Sequence, residues 1–309
     1  MNQISIIFPN QLFRLNPLFN CKCDILLIED SLFFGNDKFH KYVNHKNKIV
    51  LLKAAMQSYK KFILDKGLRV IYLENKSRYS TIDYLREYLK DKYQILNVIN
   101  PHDYLIKKRL NNLCKEFNIK IKFFESPMFL TSNEIRDAFN KNSKKPLMAR
   151  FYKRQRKNQK ILVNPDYSPV GGKWSFDEFN RKKLPKKISI PGLYKLPKNK
   201  FVLSAEKIIK DEKIEYRGIG DSFFYPTTFE EADQWLKNFF EIKLSLFGDY
   251  EDSISKENQF LWHSLLSPIM NIGLITPKEI INKAITFSTQ NHIPLNCLEG
   301  FIRQIIGWR

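Results

Sequence analysis

Cysteine is scarce in this chain, with four residues in 309, at positions 21, 23, 114 and 297. They are too few and too scattered for a disulfide framework, and Cys21-x-Cys23 makes a poor metal clip without a second close pair, so free thiols are expected. The opening MNQISIIFPNQ has no basic stretch leading into an apolar one, which argues against a secretory leader. Nowhere do about 18 apolar residues run together, so no membrane-spanning helix is expected, and the expected location is cytoplasmic. No G-x-G-x-x-G follows the first strand pattern and no P-loop occurs, so the phosphate-cradling turns of ordinary dinucleotide and nucleoside-triphosphate sites are missing. Internal repeats and low-complexity tracts are absent too. Acidic residues are outnumbered, 32 against 52 Lys and Arg, a net +20 with an isoelectric point of 9.6. Such a surplus draws phosphate backbones, anionic membranes or acidic partners, although drift toward Lys-, Asn- and Ile-rich composition also contributes.

Hydrophobic residues at 43% and aromatics at 14% suffice for a real core, and the length suits about two domains. ISIIFP (4–9), DILLIED (24–30), RVIYLE (69–74), YQILNVI (93–99) and IKIKFFE (119–125) read as five short buried strands. Between them, NKIVLLKAAMQSYKKFILDKG, TIDYLREYLKDK and YLIKKRLNNLCKEF read as amphipathic helices, the first ended by Gly67. This alternation predicts an α/β, Rossmann-like, doubly wound parallel sheet with helices on both faces. Ligands of such sheets lie at the carboxyl ends of strands, which singles out the loops FPNQL and EDSLF. Glu29 and Asp30 there either hydrogen-bond a ribityl or heterocyclic ligand or simply cap the next helix.

From residue 141 to 200 the character changes. This stretch holds 18 Lys or Arg against three acids, a net +15 of the chain's +20. Prolines at 146, 165, 169, 185, 191 and 197 break any long helix except PLMARFYKRQRKNQKIL. Cations interleaved with aromatics suit a nucleic-acid backbone and unstacked bases, and a solvated linker is the other reading. PVGGKWSFDEFNRKKLP is too specific for a spacer: Gly171-Gly172 makes a tight turn, Trp174 and Phe176 are anchors, and Asp177, Asn180 and Arg181 offer polar contacts. After residue 226 the pattern is helical throughout, with Thr227 and Thr228 as caps. The expected domains are 1–135 (α/β), 136–225 (basic connector) and 226–309 (helical). The closing CLEGFIRQIIGWR has an apolar face and no stop signal, so a frayed last turn or exposed apolar surface is expected there.

Three stretches together resemble the photolyase and cryptochrome family. FGDYEDSISKENQFLWHSLLSPIMNIGLITPKEI is similar to its flavin-binding signature, EGFIRQIIGWR to its Trp-Arg-Glu-Phe helix, and FYKRQRKNQKILV with SPVGGKWSFDEFNRKKLP to the connector of its photolyase-related, iron–sulfur bacterial branch. HKNKIVLLKAAMQSYKKFILDKGLRVIY is similar to that branch's antenna domain. The resemblance implies FAD held by Tyr250, Ser264, Leu266, Ser267 and the flanking Gln304, Trp308 and Arg309, with His263 where the family has a hydroxyl. It implies a 6,7-dimethyl-8-ribityllumazine antenna near Pro9, Asn10, Gln11, Glu29 and Asp30. It also implies DNA contacts from Lys153, Arg154, Arg156, Lys173 and Arg181, and light-driven repair of a UV photoproduct, typically a (6-4) lesion.

The family's four cluster cysteines, lesion histidines and most of the isoalloxazine pocket lie beyond the Trp-Arg-Glu-Phe helix and cannot be mapped here. The expectation is therefore no [4Fe–4S] cluster or other metal in this chain, weak or absent FAD, and no assignable catalytic residue. A second polypeptide or a longer product would complete a photolyase. A cryptochrome-like photoreceptor and a non-catalytic antenna and DNA-binding remnant are the alternatives, so enzyme status stays open.

Overall fold

The computed structural model describes residues 2–75, 81–141, 147–219 and 222–309. In chain order its elements are β1 (Gln3–Ile7), β2 (Asp24–Ile28), α1 (Ser31–Phe34), α2 (Lys46–Asp65), β3 (Val70–Leu73), α3 (Thr81–Leu89), β4 (Ile95–Ile99), α4 (Tyr104–Glu116), β5 (Lys120–Phe124), α5 (Asn133–Lys141), α6 (Met148–Gln159), α7 (Lys200–Asp211), α8 (Phe229–Ile242), α9 (Phe247–Tyr250), α10 (Ser267–Ile272), α11 (Pro277–Gln290) and α12 (Leu295–Ile306). Short 3-10 turns lie between some of them. Pro146, first of the connector prolines, lies outside the described residues.

The five strands pair in parallel in the order β3-β2-β1-β4-β5, as the strand–helix alternation requires. Ile4, Ile6, Phe8, Leu26, Ile28, Leu96 and Val98 project to one side and join Leu85 and Leu89 of α3 and Ile106, Leu110 and Leu113 of α4 in one core. The alternate residues Ile7, Ile25, Leu27 and Ile99 are equally buried, so the sheet is covered on both faces. Strand order reverses between β1 and β4, which makes the crevice beyond their carboxyl ends the topological switch point.

The chain forms two compact units that interleave in sequence. The first takes Met1–Ser126, Lys195–Ala232 and Asn271–Leu274, and the second Pro127–Tyr194, Asp233–Met270 and Ile275–Arg309. The stretch read as a connector is thus shared between them. In the first unit α7 packs on α2, and Phe229 sits edge-on to Tyr59 and Phe62. In the second, Leu184, Ile188 and Ile190 pack on Tyr250, Leu261 and Trp262, so this part of the basic stretch is bound down rather than solvated.

One expected helix is mostly absent. SKENQFLWHSLLSPIMNIG contains only α10, and residues 252–266 are irregular. The physical reason is Pro268, which a helix accepts only in its first turn, and Leu265 is held in the left-handed region at φ 54. The apolar spacing that mimics a helix comes from Leu261, Trp262 and Leu266, each buried from an irregular backbone. By contrast α11 begins at a reciprocal capping box, Thr276 with Glu279.

Candidate functional site

In the first unit, β1 runs into the loop Phe8-Pro9-Asn10-Gln11. Its geometry is fixed by buried amides: Gln11 Nε2 donates to the Ile99 carbonyl at 3.0 Å, and Asn16 Nδ2 to the Gln11 carbonyl and the Tyr59 hydroxyl. Leu12 N donates to Ile272 O, and Gly273 (φ 91) lies so close to Leu12 N that a Cβ would stand 2.9 Å away. Within this loop the Asn10 Oδ1 is buried without a donor among the described residues, and so is the Oδ1 of Asn100 at the end of β4. Two unsatisfied acceptors flanking a switch point are what a ligand with N–H or O–H groups would complete. Asn100 was not singled out in the sequence, where its only signal is a polar residue directly after a buried strand.

The carboxylates expected beside them have other work. Glu29 accepts from Lys53 Nζ (2.9 Å), Tyr72 Oη (2.6 Å) and Asn75 N (2.9 Å), a buried pair inside the fold. Asp30 caps α1 through Leu32 N at 2.9 Å, the helix-cap alternative of the sequence reading. Burial pushes its carboxyl up to about 6, against hydrogen bonds from Leu32 and Thr81. Nearby, Arg109 grips Asp37 with two bonds, 2.7 and 3.0 Å, and with Phe39 N–H outweighs burial to hold it at about 2.

In the second unit the residues matched to a flavin signature cluster around Trp262. Tyr250 and Trp262 rings lie 4.8 Å apart, His263 Nδ1 accepts from Leu261 N, and the Ser264 carbonyl accepts from Trp235 Nε1. Burial, with Lys243 nearby, lowers the His263 pKa, which keeps the ring neutral around pH 7. Leu266 is buried, and Ser267, exposed, opens α10. The space between His263, Ser264, Tyr194, Trp235 and Lys243 is about 10 Å³, room for one water, whereas cofactor pockets run to several hundred Å³.

The closing helix does not fray. Phe301, Ile302, Ile305 and Ile306 are buried, and the Arg309 carbonyl accepts from Leu130 N (2.7 Å) and Thr131 N (3.3 Å). Gln304 Nε2 donates to Glu251, whose carboxyl burial and neighbouring Asp252 push up to about 7. Trp308 is 73% exposed, and the Arg309 guanidinium lies over Phe129.

The cations expected to touch DNA divide sharply. Arg154 is exposed and has no partner among the described residues, and Lys153 is exposed over the Trp174 ring at 5.1 Å. Arg156 corrects the expectation: it is fully buried, and its guanidinium donates to the carbonyls of Ile161, Leu162 and Trp174, so it cannot reach a phosphate. Lys173 pairs with Glu178, and Arg181, exposed, pairs with Asp252 (2.9 Å) and Asp177 (3.5 Å). Glu299, fully buried, ties α6 to the segment after it by accepting from Tyr152 Oη (2.7 Å) and Phe176 N (3.1 Å), and was not foreseen. Among the described residues no group of three His, Cys, Asp or Glu could hold a metal ion, and no helix is long and apolar enough to cross a membrane.

The chain matches the family model described as deoxyribodipyrimidine photo-lyase-related protein over residues 5–225. It is 35% identical over 200 residues to an uncharacterized protein, R852, of Acanthamoeba polyphaga mimivirus, covering 62% of this chain and 99% of that protein. It is 28% identical over 281 residues to a (6-4) photolyase of Agrobacterium fabrum, covering 86% of this chain but 53% of that enzyme, so it spans about half the enzyme's length. In fold it is similar to a bacterial class III photolyase from Agrobacterium tumefaciens, with a TM-score of 0.59 and 14% identity, over 100% of this chain and 57% of that one.

Proposed function

Because this chain belongs to the deoxyribodipyrimidine photo-lyase-related protein family, we propose that it serves light-driven, flavin-dependent repair of UV photoproducts in DNA, with the (6-4) lesion as substrate. The observation that carries the reading is the 28% identity over 281 residues to a protein that bears that activity in its name. Members of the family generally bind flavin, and bound flavin would supply the electron that splits the lesion. This chain would contribute one wall of the flavin site, with Tyr250, His263, Ser264, Leu266, Ser267, Gln304, Trp308 and Arg309 on the helical part at 226–309. The 10 Å³ space there supports a site completed by further residues, on a second polypeptide or a longer product. Asn10 and Asn100 offer the acceptors for a lumazine-type antenna, ahead of Glu29 and Asp30, whose oxygens are already engaged. Lys153, Arg154, Lys173 and Arg181 would meet DNA phosphates.

The test is blue-light repair of an oligonucleotide carrying one (6-4) photoproduct, by the chain alone and with the product of the adjoining downstream gene. Repair only in the mixture is the expected outcome. No repair in either overturns the enzyme reading and leaves the photoreceptor or remnant in its place.

A further inference from the structure

The second unit contains an open cleft of about 550 Å³ lined by Phe176, Glu178, Phe179, Asn180, Lys182, Leu295 and Asn296. Three features of its wall are unexplained by folding. Phe179 is 50% exposed beside the half-buried Phe176, and the Lys173 ammonium lies 5.0 Å from its ring centroid. Asn180 is only 8% exposed and is wedged against Gly248 and Gly300, yet its Nδ2 has no acceptor among the described residues. Leu295 and Asn296 form the first turn of the 12-residue α12, whose N-cap is Pro294 and which no side chain caps. The acids at the cleft are matched: Glu178 by Lys173, and Asp249 by Lys182 (2.9 Å) and Asn296 (3.3 Å). Further along the chain Lys183, Lys186 and Lys187 are exposed and have no partner among the described residues.

A ring face backed by a cation, unpaired donors and a positive helix end suit a flat heterocycle joined to a phosphate. From this juxtaposition we infer that the cleft holds one nucleotide of a DNA strand, its base unstacked onto Phe179 and its phosphate toward the α12 N-terminus and Lys182. The volume is ample for a base and sugar. A strand is the favoured source over a free nucleotide because exposed lysines follow the cleft-lining Lys182 along the chain and suit a backbone of several phosphates. This inference rests on the proposed DNA-repair reading and specifies where an extruded nucleotide is held.

The test is the binding of single-stranded oligonucleotides containing 2-aminopurine, whose fluorescence falls on stacking against an aromatic ring. Wild type should bind with quenching. Phe179→Ala should lose quenching and weaken binding about tenfold, the order of one base–aromatic stack, and Phe179→Trp should restore both. Lys186→Glu/Lys187→Glu should weaken binding while residual complexes remain quenched. If Phe179→Ala binds and quenches like wild type while the lysine variant is weakened, the cleft assignment falls and the DNA reading stands. If wild type binds no DNA, both fall. If deoxynucleoside monophosphate binds as tightly as the oligonucleotide and with the same dependence on Phe179, the strand is overturned as the source.

Discussion

Asp30 shows what burial does to one carboxyl in this fold. Its proton is held up to about pH 6 in the native chain, against 3.8 for the free group. A raised carboxyl contributes fully to stability below the unfolded value, and that contribution is lost as pH rises through the folded value. Above about pH 6 the ionised group therefore costs on the order of 3 kcal/mol. Asp30→Asn keeps the cap and removes the charge, so urea unfolding should show it more stable than wild type by about 1–3 kcal/mol near pH 8 and equal near pH 4. A gain of the same size at both pH values would show that Asp30 titrates as an ordinary carboxylate. The sequence could mark Glu29 and Asp30 as strand-end acids but not choose between ligand and scaffold, because Lys53, Tyr72 and Asn75 arrive from distant segments. Arg154 and Arg156 make the same point in one helix. Two residues apart, they are about 200° apart around α6, so one faces water and the other Trp174.

Among the elements, the strands were the most legible. Their apolar runs, bounded by turns, need no distant information to be read as parallel strands, and all five lie within two residues of expectation, but only β1, β2 and β4 are buried as expected: the edge strands β3 and β5 are half-buried and largely exposed, because each has a neighbour on one side only. Residues 252–266 were misread because side chains buried from an irregular loop can imitate helical spacing, and only Pro268 signalled otherwise. The Gly171-Gly172 turn was visible as sequence, but its purpose was not. Both glycines have positive φ, 73 and 77, yet a Cβ on Gly171 would strike Leu295 and come 2.8 Å from Phe176 Cζ, while one on Gly172 meets nothing. Gly172→Ala should therefore cost about 1 kcal/mol and Gly171→Ala about 2–4 kcal/mol, measured by thermal or denaturant unfolding. Equal costs would mean that the turn does not lock the connector against α12.

Across the whole molecule, charge and chemistry are segregated. Most of the net +20 falls in the segment that bears the exposed Arg154, Lys183, Lys186 and Lys187, while the sheet unit offers the unpaired amide oxygens of Asn10 and Asn100 and the helical unit the residues proposed for flavin. The candidate DNA contacts were legible as composition, but only the structure separates the cations that point outward from the one that ties the connector together. The residues proposed for flavin were legible as a motif, and what the motif could not give was the packing around them. The most direct test of a flavin site completed by other residues is the flavin absorbance retained after gel filtration with excess FAD. The measurement is made on the chain alone and with the product of the adjoining downstream gene. The expected result is no flavin with the chain alone and about one per complex in the mixture. One flavin retained per chain without any addition, or none in the mixture, would contradict it.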